Sequence, residues 1–439
     1  MPSSKSKNPA TAHPSSDPTA SKTKISIKQK PLKKDEEPIT SKKWNILAIT
    51  YNVSNKPPSQ QAINQILEVT MKNTDLSFVM ISLQNLQEIK TAERFGMHWR
   101  DTWRELFHMA LWEMGFICIA DSYMITNLLM VFAALPIAQL VENCRFSYSK
   151  DYYNGAKGTI CALIQLRGKI NFIFMGSHFV HATEQVSRRI GETNSVRKLV
   201  RLAKPSDGTT AVLWAGDLNF RSTDVSADEF AKTVQKQPAE RMKELVEKHD
   251  QMAQLDKEGT FGFVDEAPIN FMPTYRYIIG SDNVYDLLRV PSWTDRILFD
   301  NLRSIKYDSI RDCNYSDHQP VYSHLSFNCE KVPKNGWEIE FNEINAWYVG
   351  VPMHICFKGK DFWKKNGSYR DWIGIYKVPN INQRCLVTFT NIMLCIDYGT
   401  HYLAECMSLP PGEYIAAYHS YNDSCIKGLS TIFKVTYFE

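Results

Sequence analysis

From Trp44 onward the chain alternates short apolar runs with polar, turn-rich segments. Trp44-Asn45-Ile46-Leu47-Ala48-Ile49-Thr50-Tyr51 reads as a buried strand, since short runs rich in β-branched and aromatic residues suit a sheet covered on both faces. Similar runs predict strands at Leu76 to Leu83, Gly115 to Ile119, Leu128 to Ala133, Ile160 to Leu166, Ile170 to Gly176, Val212 to Ala215, Ile297 to Phe299 and Val321 to Phe327. Helical apolar spacing predicts helices over Gln61 to Met71, Trp103 to Met114 and Glu184 to Ala203, and a longer helical region over Ala227 to Leu255. Strands interleaved with helices indicate an α/β core.

Near Pro333-Lys334-Asn335-Gly336 the pattern changes. Residues 337–439 carry Tyr, Phe, Val, Ile and Trp in short runs, separated by turn signals such as Lys365-Asn366-Gly367 and Pro410-Pro411-Gly412. No long helical period occurs there, so an all-β sandwich is expected. Residues 1–43 hold almost no large apolar side chain, and a disordered tail is expected. Tyr123 to Val141 has no charge over nineteen residues, near the length of a spanning helix. Asn127, Pro136 and Gln139 interrupt it, and a Pro after Val131-Phe132-Ala133-Ala134-Leu135 marks a break between two buried strands instead.

Composition narrows the class. The chain of 439 residues is 44% apolar and 22% charged, as in ordinary globular proteins of two to three domains. Its net charge of +4 is unevenly placed: residues 1–43 carry ten Lys and four acids, leaving a net of about −2 for the rest. That excludes a basic nucleic-acid domain. The tail's charge suits either an anionic membrane surface or simple solubilisation. Ten Cys are scattered without a CxxC pair, and no apolar signal segment opens the chain. Reduced thiols in the cytoplasm are expected.

Candidate chemistry sits at strand ends, where open sheets bind ligands. In Trp214-Ala215-Gly216-Asp217-Leu218-Asn219-Phe220-Arg221 a carboxylate and a carboxamide lie two apart behind an apolar run. On a strand they would share one face. A base beside a neutral donor can activate water and hold an oxyanion. Four further segments accompany it: Asn52 after the first strand, His178 and His181 after Phe172-Ile173-Phe174-Met175-Gly176, Asp295 in Trp293-Thr294-Asp295-Arg296, and Asp317-His318 ahead of Val321. Asn and Asp oxygens suit Mg²⁺, which stabilises charge in phosphoryl transfer. His318 could clamp a phosphoryl group while Asp295 fixes its tautomer. Singly, each has an ordinary reading: a turn amide, a satisfied histidine, an Asp295–Arg296 salt bridge.

Together these segments resemble a known family. WAGDLNFR (Trp214 to Arg221), PSWTDRIL (Pro291 to Leu298), SDHQPV (Ser316 to Val321) and FGFVDEAPINFMPTYRY (Phe261 to Tyr277) are similar to the signature motifs of the inositol polyphosphate 5-phosphatases. The resemblance implies a four-layered α/β sandwich of the DNase I-like type over residues 44–330. It implies Mg²⁺-dependent removal of the 5-phosphate from phosphoinositide headgroups at a membrane surface. DWIGIYKV (Asp371 to Val378) and GEYIAAYHS (Gly412 to Ser420) resemble a SKICH domain, an immunoglobulin-like sandwich, over 336–439. A protein partner for that module, a monomeric chain, no nucleic-acid partner, and peripheral association with endoplasmic reticulum or plasma membrane complete the expectation.

Carried over by residue, the resemblance implies Asn52 and Asp317 at the metal site, Asp217 as water activator, Asn219 beside it, and His318 paired with Asp295 at the scissile phosphate. His178 and His181 match a catalytic S-H-x-x-x-H region, one residue short. Lys157, Tyr275, Arg276 and Arg289 match substrate-binding positions. Two departures stand out. The family's metal-binding Glu falls on Asn85 when the second strand is read without gaps, or on Glu88 if three residues are inserted. Leu287 stands where a phosphate-gripping Lys is usual.

Overall fold

The computed structural model describes residues 42–72, 75–87, 99–151, 156–238, 241–359, 367–378, 381, 386–398, 402–406 and 408–438. The expected tail, apart from Lys42 and Lys43, and Glu88 lie outside the described residues. Twelve strands build the first part: β1 Lys42–Asn52, β2 Leu76–Gln84, β3 Phe116–Met124, β4 Asn127–Ala134, β5 Val141–Lys150, β6 Gly158–Leu166, β7 Ile170–His178, β8 Thr209–Asp217, β9 Asp265–Glu266, β10 Asp295–Asp300, β11 Arg303–Ser309 and β12 Val321–Cys329. They form two six-stranded sheets, ordered β11-β12-β1-β2-β4-β3 and β5-β6-β7-β8-β10-β9. β1 runs parallel to β2, and β7 parallel to β8.

Period-two alternation sorts these strands into three cores. On β1, Trp44, Ile46 and Ala48 enter the core shared by both sheets, with Phe78 and Met80 of β2, Phe172 and Phe174 of β7, and Leu213 and Ala215 of β8. The intervening Leu47, Ile49 and Tyr51 pack outward on Ile63 and Ile66 of helix Gln60–Thr70 and on Trp103 and Phe107 of helix Trp99–Glu113. Val212 and Trp214 of β8 pack outward on Val196 and Leu199 of helix Val186–Ala203. The outcome is the helix–sheet–sheet–helix sandwich the resemblance implies.

Side-chain size grades along the inter-sheet core. One end holds Trp44, Phe78, Phe172 and Phe327, with the Phe78 and Phe172 ring centroids 4.9 Å apart. Toward the other end Ser82 Oγ lies 3.4 Å from Ala215 O of the opposite sheet. A Cβ on Gly176 would meet Ser82 Oγ at 2.7 Å. Small residues thus let the sheets approach at the end where β1, β7 and β8 finish in Asn52, His178 and Asp217.

The uncharged Tyr123 to Val141 stretch folds as the end of β3, all of β4, the short helix Leu135–Ala138 and the start of β5. Pro136 sits in that helix's first turn, where its missing N–H costs nothing. No described helix is long and apolar enough to cross a membrane. The expected long helix over Ala227 to Leu255 is three: Ala227–Lys236, Met242–His249 and Gln251–Lys257. Pro238 follows the first, and the Asp250 side chain caps the third by accepting from Ala253 N at 3.0 Å. β5 and β11 escaped sequence reading because their exposed, polar positions blur the apolar signal.

Ten strands follow: β13 Ile339–Phe341, β14 Trp347–Tyr348, β15 Met353–Gly359, β16 Trp372–Lys377, β17 Leu386–Asn391, β18 Ile396–Asp397, β19 Tyr402–Cys406, β20 Gly412–Ser420, β21 Cys425–Leu429 and β22 Phe433–Thr436. They make sheets β13-β15-β19-β18 and β14-β22-β20-β16-β17, with β21 on β20. Ile355, Phe357, Ile373, Ile375 and Tyr418 share their core. β21 packs on the open edge of β5. Asp423 O accepts from Cys144 N at 2.8 Å, and the buried Lys427 Nζ donates to Glu142 O at 2.6 Å while pairing with Asp423.

Phe172→Ala should lower folding stability by about 3–5 kcal/mol, the usual range for a buried Phe. Urea unfolding would measure it, and a loss under about 1 kcal/mol would contradict the packing described.

Candidate active site

The inward phase of the strands does not stop at the apolar core. Asn52 continues Trp44-Ile46-Ala48, His178 continues Phe172-Phe174, and Asp217 continues Leu213-Ala215, each as the last residue of its strand. Asp295 opens β10 in register with Asp217 and shares its phase with Ile297 and Phe299. These residues line one cavity of about 390 Å³ with Ser54, Asn85, Thr126, Lys157, His181, Asn219, Arg221, Tyr275, Asp317 and His318, except that Asp295 stands behind His318.

Asp217 is buried and well supplied with donors. Its Oδ2 accepts from Asn52 Nδ2 at 2.8 Å, and its Oδ1 from Asn219 N at 3.1 Å. Burial alone would raise its pKa; the charges of His318 and Lys157 outweigh burial and hold it well below the usual carboxylate range. The carboxylate is therefore ionised at any physiological pH.

His318 is the opposite case. Burial works against its charge, but Asp295, Asp217 and Asp317 raise it to about 8. Asp295 Oδ2 lies 2.9 Å from His318 Nδ1 and also accepts from Thr274 and Thr294 at 2.7 and 2.9 Å. Nδ1–H therefore points at Asp295, leaving Nε2 facing Asp217 at 4.0 Å. Arg296 does not pair with Asp295. It turns to the other face of β10 and binds Asp250 at 2.8 Å and Glu266.

His178 lies between Lys157 and Asp217. Burial and the Lys157 charge push it down to about 4, so the ring is neutral. Asn127 donates through Nδ2 to Ala156 O at 2.9 Å, which turns its Oδ1 toward His178 Nδ1 at 3.2 Å. Nδ1 then carries the proton and Nε2 accepts from Lys157 Nζ. With Nε2 so occupied, its 3.4 Å approach to Asp217 is not a donation; the positive groups carry the depression of Asp217. Burial brings Lys157 itself down to about 8.

Asp217 and Asn219 both reach the cavity, but not as neighbours on a strand face. β8 ends at Asp217, and Asn219 sits at φ 56°, in the left-handed region. Its side chain is engaged, donating to Phe179 O at 3.0 Å and accepting from Arg221 Nη2. Arg221 also donates to His181 O at 3.0 Å, and its guanidinium carbon lies 4.5 Å from the centre of the Tyr275 ring. Arg221 and Asn127 are the organising residues that sequence reading passed over. Arg221 was visible inside WAGDLNFR; Asn127 carried no local signal.

The remaining expected residues divide. Asp317 accepts from Arg276 Nε at 3.3 Å, and Arg276 also pairs with Asp286 at 3.2 Å. Tyr275 packs against His318 with ring centroids 4.4 Å apart and the planes tilted by 37°. His181 lines the cavity from an exposed position, lowered by burial and by Lys157. Arg289 is exposed and does not line the cavity. Asn85 lines it, at φ 59°, with its carbonyl accepting from Asn55 N at 2.7 Å. Asn52, Asn85, Asp217 and Asp317 all line the cavity and carry side-chain oxygens, the chemistry a hard divalent cation takes.

A family model described as endonuclease/exonuclease/phosphatase family 2 matches residues 49–324. The chain belongs to that family. Within it, the chain is similar to the Phosphatidylinositol 4,5-bisphosphate 5-phosphatase INP51 of Saccharomyces cerevisiae, 26% identical over 64% of this chain and 31% of that protein. The Inositol polyphosphate 5-phosphatase K of Mus musculus is 23% identical over 89% of each chain. The chain therefore spans under a third of the yeast relative but most of the mouse one. Among solved structures, the inositol polyphosphate 5-phosphatase domain of SPsynaptojanin, in complex with inositol (1,4)-bisphosphate and calcium ion, shares the fold. Its TM-score is 0.57 at 24% identity, covering 66% of this chain and 85% of that one.

Asp295 should be what keeps His318 charged. The pair stabilises the fold fully below pH 6.5, and that contribution is lost as pH rises through about 8. Asp295→Asn should bring the His318 titration down toward or below 6.5, followed by NMR in chelator-treated protein. An unchanged titration would place the source of the shift elsewhere.

Proposed function

We propose that this chain hydrolyses the 5-phosphate of phosphoinositides, phosphatidylinositol 4,5-bisphosphate or 3,4,5-trisphosphate, with soluble inositol polyphosphates as further substrates. The carrying observation is the opposed pair at one cavity: Asp217 held anionic and His318 held cationic, with Nε2 of His318 4.0 Å from Asp217 Oδ2. A phosphoryl group needs both partners, a site for the attacking water and a positive donor for its oxygens.

In this reading Asp217 orients a water and accepts its proton as the water oxygen bonds to phosphorus and the bond to the ring oxygen breaks, the leaving ring oxygen taking a proton from solvent. Asn52 and the Asn219 backbone N–H fix the carboxylate's direction. His318 donates through Nε2 to a phosphoryl oxygen, and Asp295 keeps it charged. Lys157 adds a second positive group beside the neutral His178. Arg276 bridges Asp317 and Asp286 at the cavity rim and reaches toward further ring phosphates. Asn52, Asn85, Asp217 and Asp317 would hold Mg²⁺, which supplies charge stabilisation for the transferring phosphoryl group. Residues 44–330 form the catalytic domain, and 336–439 a SKICH-like module that braces it and offers a surface to a protein partner. The chain works in the cytoplasm at a membrane surface.

A second reading is favoured by Asn85. With an amide instead of a carboxylate on the cavity wall, the site has one formal charge fewer for the cation, and phosphoinositide binding with slow turnover follows.

Phosphate release from phosphatidylinositol 4,5-bisphosphate vesicles separates the two. The first reading expects release that stops on chelation and falls by on the order of 10²–10⁴-fold in Asp217→Ala; release unmoved by that change would overturn the mechanism. The second expects retained vesicle binding with little release, and a gain in Asn85→Glu at lower Mg²⁺. No gain at any Mg²⁺ concentration would count against Asn85 as the weak point.

A further inference from the structure

Leucine and isoleucine side chains crowd a single loop beside the cavity. Between residues 42 and 329, eleven large apolar side chains among the described residues are exposed, and five fall within residues 278–288: Ile278, Ile279, Val284, Leu287 and Leu288. Leu288 is 79% exposed and Ile278 51%. Such a cluster leaves apolar area in water that a packed loop would bury, which marks a contact surface.

The loop is also held firmly. Tyr277 and Tyr285 stack at its base with ring centroids 4.5 Å apart, and both hydroxyls donate to Pro273 O, at 2.7 and 3.0 Å. Ile278 N donates to Val284 O at 2.8 Å, Gly280 N to Asn314 O at 3.1 Å, and Asp286 N to Arg276 O at 2.9 Å. With its backbone satisfied and its aromatic base buried, the loop presents its apolar tip without needing to fold onto the body. These hydrogen bonds oppose a local collapse that would hide the apolar side chains.

Its position gives the occupant. The loop leaves the cavity wall directly after Tyr275 and Arg276 and returns through Arg289 to Ser292, whose backbone pairs with Tyr275. The loop is therefore rooted at the cavity rim through Tyr275, and its Ile279 borders a neighbouring groove beside Asp312 and Tyr315. Arg289 and Arg311 are exposed beside it, together with Asp282 and Asp312, while Asp286 is paired with Arg276. Apolar side chains flanked by arginines at the mouth of a phosphate-binding cavity match an anionic bilayer: hydrocarbon at the acyl boundary, guanidinium at the phosphates.

We propose that Ile278, Ile279, Val284, Leu287 and Leu288 form a rigid membrane-contact tip that seats the cavity mouth on a phosphoinositide-bearing bilayer. The assignment rests on the function proposed above for the substrate, but not for the contact itself. It makes turnover of a lipid substrate depend on the tip and turnover of the free headgroup independent of it.

The test uses the full chain and the double variant Ile279→Ser/Leu288→Ser, two exposed side chains outside the cavity lining, with thermal melting as the folding control. Phosphate release is measured from phosphatidylcholine vesicles carrying phosphatidylinositol 4,5-bisphosphate and from soluble inositol 1,4,5-trisphosphate. Sedimentation with the same vesicles is measured in parallel. Losing two inserted side chains should cut vesicle binding and vesicle turnover about tenfold or more, with soluble turnover unchanged. Equal loss on both substrates would make the tip part of the headgroup site and overturn the proposal. Unmoved binding and vesicle turnover would assign the tip to a protein or a second copy, and overturn it equally. If the wild-type chain released no phosphate from either substrate, the functional reading would fail, while sedimentation of wild type against variant would still decide the membrane contact.

Discussion

Everything at the candidate site depends on two sheets packing face to face in a single alternation phase. Because side chains on a strand repeat every two residues, a strand that sends Trp44, Ile46 and Ala48 inward must also send Asn52 inward. The same holds for Phe172 and His178, and for Leu213 and Asp217. A slip of one residue in any of these strands would turn the polar residue out and an outward apolar one in. The hydrophobic core and the polar cavity are thus one feature read at two depths, and stability and site geometry share the same register.

Size grading sharpens that constraint. Aromatic rings hold the sheets apart at one end, and Ser82, Gly176 and Ala215 let them close at the other. The closure buries Asp217, which would neutralise it if nothing answered. Lys157 and His318 supply the answer, while Asn52 and the Asn219 backbone supply hydrogen bonds. The two histidines diverge for the same reason. His318 has carboxylates on its side and becomes charged; His178 faces an ammonium and stays neutral. Their order in pKa comes from neighbours, not from burial, which is nearly equal.

Much of this was legible in the chain. The strands that carry Asn52, His178 and Asp217 were plain because both faces are buried, and their apolar runs are continuous. WAGDLNFR, PSWTDRIL and SDHQPV pointed to one locus, and their residues do meet there. Three matters were hidden. Asn219 reaches the cavity through a left-handed turn, which the i, i+2 argument could not foresee. Asn127 controls the His178 tautomer from a strand whose pattern only announced apolar burial. Polar edge strands such as β5 give almost no period to read. Motif matching places residues at a site, but hydrogen-bond direction emerges only from packing.

The seam between β5 and β21 has a consequence for how the chain is made. Main-chain groups along an edge strand recruit strands from other molecules unless something occupies them. Here Cys144 N–H and Glu142 C=O are taken by Asp423 and Lys427, nearly three hundred residues later in the chain. On the ribosome, β5 emerges long before its cover does. At about 5–20 residues per second that interval lasts tens of seconds, and in its later part, once β10 at Asp295–Asp300 has emerged, the edge is exposed on an otherwise formed sheet. The C-terminal strands thus act as a late seal, and a truncation or stall before residue 427 would release a template for aggregation and not merely a shorter protein.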